Sequence, residues 1–471
     1  MTSYSLGSQA VRVAGMGVQG DGPLVCWLGD DFTGSAAVME VLAFAGLPSV
    51  LFTDVPDAAL ARRFSGMQGI GIATTLRSEG PEVMRRRLGP MLRWLDGLGA
   101  PILHYKICST FDSSPEVGSI GCAIETALEV RPVAAVPLLT AAPQMRRYQA
   151  FGSLFAGLPE GVFRLDRHPV MARHPVTPMA EADLLRHLAA QTVLPGGLIS
   201  LEDLATGAEA RLEALIAGGA RVLSIDNMDA GTEARAGRLI WDHRDRLGLV
   251  VGSQGVEYAL VRHWQEAGLL PVAPPVPSAG RVEQIVAVSG SVSPVTKAQI
   301  DWAGAHGFAL LEFDAASVCG LMEDQQSEEV RVSVAALEAV ALGQSPLIHS
   351  AAGPDDPAVA RFRAALSEKQ LSLGEANRRI GASLGRILDL VLRGTGLTRA
   401  VISGGDTSGF GMRELGLQAL VALAPTIPGA ALCKAYGTGA HDGLQIALKG
   451  GQMGSEDYFG WIRDGGGARA A

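Results

Sequence analysis

Short runs that are apolar at every position recur along the chain. Between them lie longer stretches whose apolar positions repeat every three or four residues. The runs at 24–28, 49–52, 69–73, 102–107, 133–139, 197–201, 221–225 and 249–251 predict strands, and the stretches at 35–45, 81–97, 181–191 and 206–218 predict helices. A run without polar alternation suits a parallel strand covered on both faces. The alternation of the two kinds predicts an α/β fold built on mostly parallel sheet flanked by helices. At 268–280 the pattern stops, because these thirteen residues hold four prolines. Proline removes a donor and stiffens an extended path, so the stretch reads as a linker. The pattern then restarts, with strands at 285–288, 309–313, 347–350, 400–403, 432–435 and 445–448 and helices at 293–306, 327–342, 377–395 and 412–420. Two α/β domains are expected, at 22–265 and 282–462, joined by a Pro-rich linker at 266–281, with the active site in the cleft between them.

Composition narrows the class. The 471 residues are 48% hydrophobic and 18% charged, enough to bury large cores and exclude global disorder. The net charge of −9 argues against nucleic acid or an anionic membrane as the main partner, while leaving room for a local basic pocket. The five cysteines are odd in number and form no Cys-x-x-Cys pair, which argues against a disulfide framework or structural zinc and favours a reducing cytoplasm. No run of about 18 apolar residues exists to span a membrane. Residues 1–21 lack a secretory-signal pattern and read as a loose leader. The Gly-rich tail at 465–471 reads as frayed.

The candidate chemistry gathers where predicted strands end, the place at which open α/β sheets bind ligands. Gly29-Asp30-Asp31-Phe32-Thr33-Gly34 puts two adjacent acids between a strand and a helix. They repel each other and require a cation, a metal or substrate hydroxyls, although one alone could cap the helix. His104-Tyr105-Lys106-Ile107-Cys108-Ser109-Thr110-Phe111-Asp112-Ser113 runs from a strand into a hydroxyl-rich loop. Its Lys106 can neutralise a carboxylate or phosphate. Cys108 reads as a small buried thiol more readily than as a nucleophile. Arg167 to Met179 concentrates Arg173, His174 and their neighbours in a proline-held loop suited to an acidic small molecule, or simply solvated. In the second half, Ser289-Gly290-Ser291-Val292-Ser293, Gly404-Gly405-Asp406-Thr407-Ser408-Gly409 and Lys449-Gly450-Gly451 follow strands. Each alone is a turn. Together they suggest a nucleotide cradle of backbone donors, though not a Walker A loop.

In order and spacing these motifs resemble the four-carbon acid sugar kinase family, across residues 29 to 454. The matching pieces are Asp30-Asp31-Phe32-Thr33-Gly34, Lys106 with Cys108 to Ser113, His174-Pro175-Val176-Thr177-Pro178-Met179, Gly290 to Ser293, Gly404 to Gly409, and Lys449-Gly450-Gly451 with Gly454. The resemblance implies an N-terminal sugar-acid-binding domain, a C-terminal nucleotide-binding domain, and ATP-dependent phosphorylation of a terminal hydroxyl on a short sugar acid. It implies nucleotide contacts at Ser291, at Gly404, Gly405, Asp406 and Thr407, and near Gly451. It implies sugar-acid contacts from Asp30, Asp31, Lys106 and Asp112. Residues 143–151, 253–258 and 436–442 depart from the family pattern and resemble the branch acting on 3-oxo-isoapionate.

The mechanism expected from these residues is as follows. ATP lies on the glycine loops, with Ser293, Lys449 and Gly450 beside the matched residues. The sugar carboxylate docks on Arg77, Lys106, Arg173 or His174, with Ser109 near its hydroxyls. One of Asp30 and Asp31 acts on the attacking hydroxyl, while the other binds substrate or helps hold Mg²⁺, whose ligands the sequence leaves open. The partners are then a small sugar acid and ATP, and a homo-oligomer is common for an enzyme of this kind. The rival readings are a non-catalytic small-molecule binding protein and an NAD-dependent sugar-acid dehydrogenase. The latter should show Gly-x-Gly-x-x-Gly after the first strand, where this chain has Gly29-Asp30-Asp31.

Overall fold

The computed structural model describes residues 22–469 apart from Pro159 and Pro175, and Asp406 by its backbone alone; the expected leader lies outside the described residues. Apolar runs become strands because their backbone groups pair in a ladder while both faces are covered. Among the described residues fifteen strands form one continuous sheet. Its order is Phe308–Glu312, Ser345–His349, Val286–Ser289, Arg399–Ser403, Gln445–Lys449, Leu432–Gly437, Leu417–Ala424, Ser49–Phe52, Gly69–Ala73, Val25–Gly29, Ile102–Lys106, Leu249–Gly252, Val136–Leu139, Val222–Ile225 and Gly196–Ile199. The α/β class is as expected. The structure adds that the two halves share this sheet, seamed where Leu417–Ala424 runs antiparallel to Ser49–Phe52 with Ala419 opposite Phe52.

The seam corrects one element. The expected helix at 412–420 is instead the end of the helix Gly405–Glu414 followed by the strand Leu417–Ala424. Gly416 separates them at φ 65°, a left-handed conformation that stops a helix cleanly. The run 417–424 is apolar at both periods, and only the free strand edges on either side decide its form. A second sheet went unforeseen: Arg147–Ala150, Ser153–Leu158 and Gly161–Arg164 pair antiparallel as a small meander. Asp226 ties that meander to the main sheet, accepting the N–H groups of Phe151 at 2.6 Å and Gly152 at 3.0 Å. The C-terminal tail is less frayed than expected, because the Gly467 N–H donates to the Pro425 carbonyl and the Ala279 N–H to that of Gly465. All five cysteines are free. Among the described residues no helix is long and apolar enough to cross a membrane.

Candidate active site

The acids sit where the central strand Val25–Gly29 ends. The Asp30 N–H donates to the Lys106 carbonyl at 3.0 Å and the Arg77 N–H to the Asp30 carbonyl at 3.0 Å, so three neighbouring strand ends converge here. Asp31 caps the helix Phe32–Phe44, accepting the Gly34 N–H at 3.1 Å. Gly34 is required beside that cap: a Cβ there would collide with Lys106 Nζ. The Arg77 guanidinium lies among three carboxylates, 2.5 Å from Asp31, 3.5 Å from Asp30 and 3.7 Å from Asp112. Lys106 Nζ stands 4.0 Å from Asp31, and Thr110 donates to Asp112 at 2.7 Å. Phe111, between them, is buried at φ 59°, a strained conformation for a bulky residue and common at functional loops.

This environment separates the two acids. Burial drives the Asp30 carboxyl up to about 6, with Arg77 opposing and Asp31 reinforcing it. Its Oδ1 is buried without a hydrogen-bond partner. Burial pushes Asp31 in the same direction, but Arg77 and Lys106 together outweigh it and hold that carboxyl below its ordinary value. Asp31 is thus a committed cap and ion-pair partner, whereas Asp30 has an oxygen to spare. Burial also pushes the Cys108 thiol up to about 11, which leaves it protonated and a poor nucleophile.

The second half contributes little charge. Gly290, Ser291, Asn377, Gly404, Gly405, Thr407 and Gly451 line a cavity of about 190 Å³. Gly404 sits at φ 126° and opens the helix Gly405–Glu414, whose free N–H groups face this space. Behind the lining, Thr296 Oγ1 lies 3.0 Å from Ser291 Oγ and 2.9 Å from the Gly451 carbonyl, and Ser293 Oγ also contacts that carbonyl. Lys449 is fully buried under this cluster, donating to the Gly450 carbonyl at 3.1 Å and to Thr296 at 3.4 Å. It has no carboxylate within ion-pair distance among the described residues, and burial lowers its ammonium to about 8.

The two regions meet. A cleft of about 170 Å³ is lined by Asp30, Asp31, Thr33, Thr74, Thr75 and Arg77 on one side and by Gly405 and Gly409 on the other. Gly405 lines both cavities, so the acids and the glycine loops open into adjoining space.

Among the sequence-predicted residues, Asp30, Asp31, Arg77, Lys106 and Asp112 form one network, with Ser109 in the same loop. Ser291, Ser293, Gly404, Gly405, Thr407, Lys449, Gly450 and Gly451 converge in the second, and Asp406 is there by its backbone. Arg173 and His174 stand apart. Arg173 is exposed, His174 takes the Thr177 N–H at 3.1 Å, and neither bonds to the acids among the described residues. Arg147, on the unforeseen meander, is a cation that the motifs did not single out. Its Nη1 donates to the Met145, Arg146 and Gly157 carbonyls, its Nε is buried without a hydrogen-bond partner, no carboxylate lies within ion-pair distance of it among the described residues, and burial holds its pKa below the ordinary value. Arg147 lies within 143–151, one of the stretches that depart from the family pattern.

Two of the three departures come together, since Gln254 Nε2 touches Met145 Sδ. The third lies elsewhere. The strand Leu432–Gly437 runs antiparallel to Gln445–Lys449, with Leu432 opposite Ala447 and Lys434 opposite Gln445. Its Gly437 end therefore points away from Lys449, and residues 437–444 turn at the opposite edge of the sheet. There Arg63 donates to Asp442 at 3.0 Å, which makes the segment a clasp between the halves.

Residues 25–260 match the family described as Sugar-binding N-terminal domain, and residues 286–459 that described as Nucleotide-binding C-terminal domain. The chain is 46% identical over 447 residues to a 3-oxo-isoapionate kinase of Paraburkholderia graminis, covering 94% of this chain and 95% of that one. It is 31% identical over 443 residues to a 3-oxo-tetronate kinase of Methylobacterium radiotolerans, covering 92% and 97%. Among solved structures it is similar to a Salmonella typhimurium LT2 protein, with a TM-score of 0.75 and 26% identity over 93% of this chain and 98% of that one. A Haemophilus influenzae protein shares the fold, with a TM-score of 0.70 and 24% identity over 93% and 99%.

Proposed function

The chain belongs to the four-carbon acid sugar kinase family, and we propose that it transfers the γ-phosphoryl group of ATP to a terminal hydroxyl of a branched sugar acid of the 3-oxo-isoapionate type. The sugar acid lies in the half before the linker at 266–281 and the nucleotide in the half after it. The observation that carries this reading is Gly405, shared by the acid-lined cleft and the glycine-lined cavity. The 46% identity to a 3-oxo-isoapionate kinase favours that acid over the four-carbon ones.

Phosphoryl transfer needs in-line positioning and neutralised charge more than covalent help. Asp30 accepts the proton of the attacking hydroxyl through its free Oδ1. The new O–P bond forms as the bond to the leaving ADP oxygen breaks. Asp31, pinned by Arg77 and its cap, holds the helix start and orients substrate hydroxyls. Three carboxylates face only Arg77 and Lys106, so the acid end is itself short of positive charge. The sugar's own carboxylate then requires a further cation, and Arg147 is the candidate: its Nη1 is tied to the Met145, Arg146 and Gly157 carbonyls, but its Nε has no partner. On the other side, the free N–H groups in the first turn of the helix Gly405–Glu414 and the buried Lys449 receive the phosphates.

Among the described residues no group of three His, Cys, Asp or Glu could hold a metal by itself. That suits Mg²⁺, which is commonly held by one or two carboxylates together with substrate phosphates. Asp31, which lines the cleft beside Asp30, would hold such an ion, and the ion would supply charge neutralisation on the phosphoryl oxygens.

The test is ADP release against erythronate, threonate, their 3-oxo forms and 3-oxo-isoapionate, with and without Mg²⁺. Release that depends on the acid, with the highest kcat/KM on 3-oxo-isoapionate, is expected. A protein that releases no ADP with any of these acids is not the kinase proposed.

A further inference from the structure

The helix Phe32–Phe44 carries one charged residue, Glu40, and it is buried. No Lys, Arg or His lies within ion-pair distance of it among the described residues. Its two carboxylate oxygens instead accept the N–H groups of Gly429 and Ala431, each at 2.8 Å. Both donors lie in the turn between Leu417–Ala424 and Leu432–Gly437, in the other half of the molecule. The turn is held from behind as well, since Tyr458 Oη donates to the Ala430 carbonyl at 2.9 Å. The titratable neighbours that Glu40 acts on are Tyr258, Cys433 and Tyr458, none of them a cation. Burial raises the Glu40 carboxyl to about 7, against the two N–H groups that favour its ionisation.

A buried acid without a cation is costly, and a surface-neutral contact between two halves would not need one. What a carboxylate offers is two acceptors on one rigid plane, able to hold two N–H groups of a single turn at fixed spacing. The ends of this connection are the two parts of the active site. The helix bearing Glu40 begins at the Asp31 cap. The turn approaches Met453, beyond the Gly450-Gly451 loop, as the close placement of Gly429 against Met453 and Ala37 shows.

We propose that Glu40 is a positioning residue that fixes the spacing between the acid pair and the nucleotide loops across the seam of the sheet. The role rests on the kinase reading; the joint itself does not. Reacting atoms must approach within about 3–3.5 Å, and a shift of about 1 Å can cost 10²-fold in rate. Gln at this position keeps one acceptor but turns an NH₂ group toward one of the two N–H donors.

The experiment pairs steady-state kinetics with amide hydrogen exchange of Gly429 and Ala431 in wild type, Glu40→Gln and Glu40→Asp. In Glu40→Gln the expected result is a kcat lower by about 10–100-fold, with both KM values within about threefold and faster exchange at those amides. Glu40→Asp, which keeps both acceptors on a shorter arm, should fall between. Wild-type kcat in Glu40→Gln overturns the proposal, as does a KM that rises in step with the loss of kcat. If Glu40→Gln does not fold, the same criteria are read from Glu40→Asp. A wild type without sugar-acid-dependent ADP release removes the kinase reading instead, and unprotected amides in that same wild type remove the joint.

Discussion

The two cavities that meet at Gly405 are built on opposite plans. The first is crowded with charge: Asp30, Asp31 and Asp112 are arrayed around Arg77, with Lys106 alongside. The second is lined by glycines and hydroxyls, with one cation, Lys449, hidden beneath. Charged side chains placed against one another shift each other's protonation, which suits recognition of a hydroxylated acid and removal of a proton. Backbone N–H groups do not titrate and lose no side-chain freedom, which suits a polyphosphate that must be bound and released in each cycle. Each half thus presents a different kind of group, and the proposed division of labour rests on that difference.

If that division is right, changes in one cavity should leave the other's substrate nearly untouched. Asp30→Asn should lower kcat by about 10²–10⁴-fold while KM for ATP stays near wild type. A base must be ionised to act, so wild-type kcat/KM for the sugar acid should rise with pH through about 6, and the variant should lack that limb. An unchanged kcat in folded Asp30→Asn would remove it from the chemistry.

Lys449→Met should raise KM for ATP by about 10–100-fold, the span of a lost charged hydrogen bond, with KM for the sugar acid unchanged. The free lysine loses its proton as pH climbs past about 8, so wild-type affinity for ATP should weaken above that value and the variant's should not. Titration with ADP across pH 6.5–9.5 reads this directly; a flat wild-type curve contradicts it.

Arg147→Ala should raise KM for the sugar acid by roughly 10-fold and leave ADP binding alone. A neutral analogue lacking the carboxylate should bind variant and wild type alike. Equal losses for acid and analogue would make Arg147 a packing residue of the meander.

The clasp at the far edge provides the control. Arg63 and Asp442 are both substantially exposed, with side-chain accessibilities of 41% and 43%. Such pairs contribute about 0–1 kcal/mol. Arg63→Ala should lower Tm by a few degrees at most and leave kcat and both KM values within about twofold. A large kinetic effect would mean that the edge communicates with the site.

Much of this site was visible from the chain alone. The strand ends carrying Gly29-Asp30-Asp31, Lys106, Ser403-Gly404 and Lys449 could be recognised because a buried parallel strand leaves a wholly apolar run, and a polar or glycine break after it marks the ligand edge. The run at 417–424 was misread because an octapeptide that is apolar but for Gln418, between a helix and a turn, satisfies both periods. The meander at 147–164 escaped because its strands are half-exposed and Gly-interrupted. Arg173 and His174 were drawn to the site by charge in a proline-held loop, yet charge concentration says nothing about which way a loop faces.

Local pattern alone thus determined the α/β class and the residues bordering each strand end, because these follow from chain-neighbour sterics and periodicity. Only the tertiary structure decided which acid is spent and which is free, that Arg147 keeps a buried, unpartnered Nε while Arg173 lies exposed, and that one sheet and the buried Glu40 join the halves. Those outcomes depend on groups hundreds of residues apart competing for the same protons, donors and space, and no pattern along the chain encodes the result of that competition.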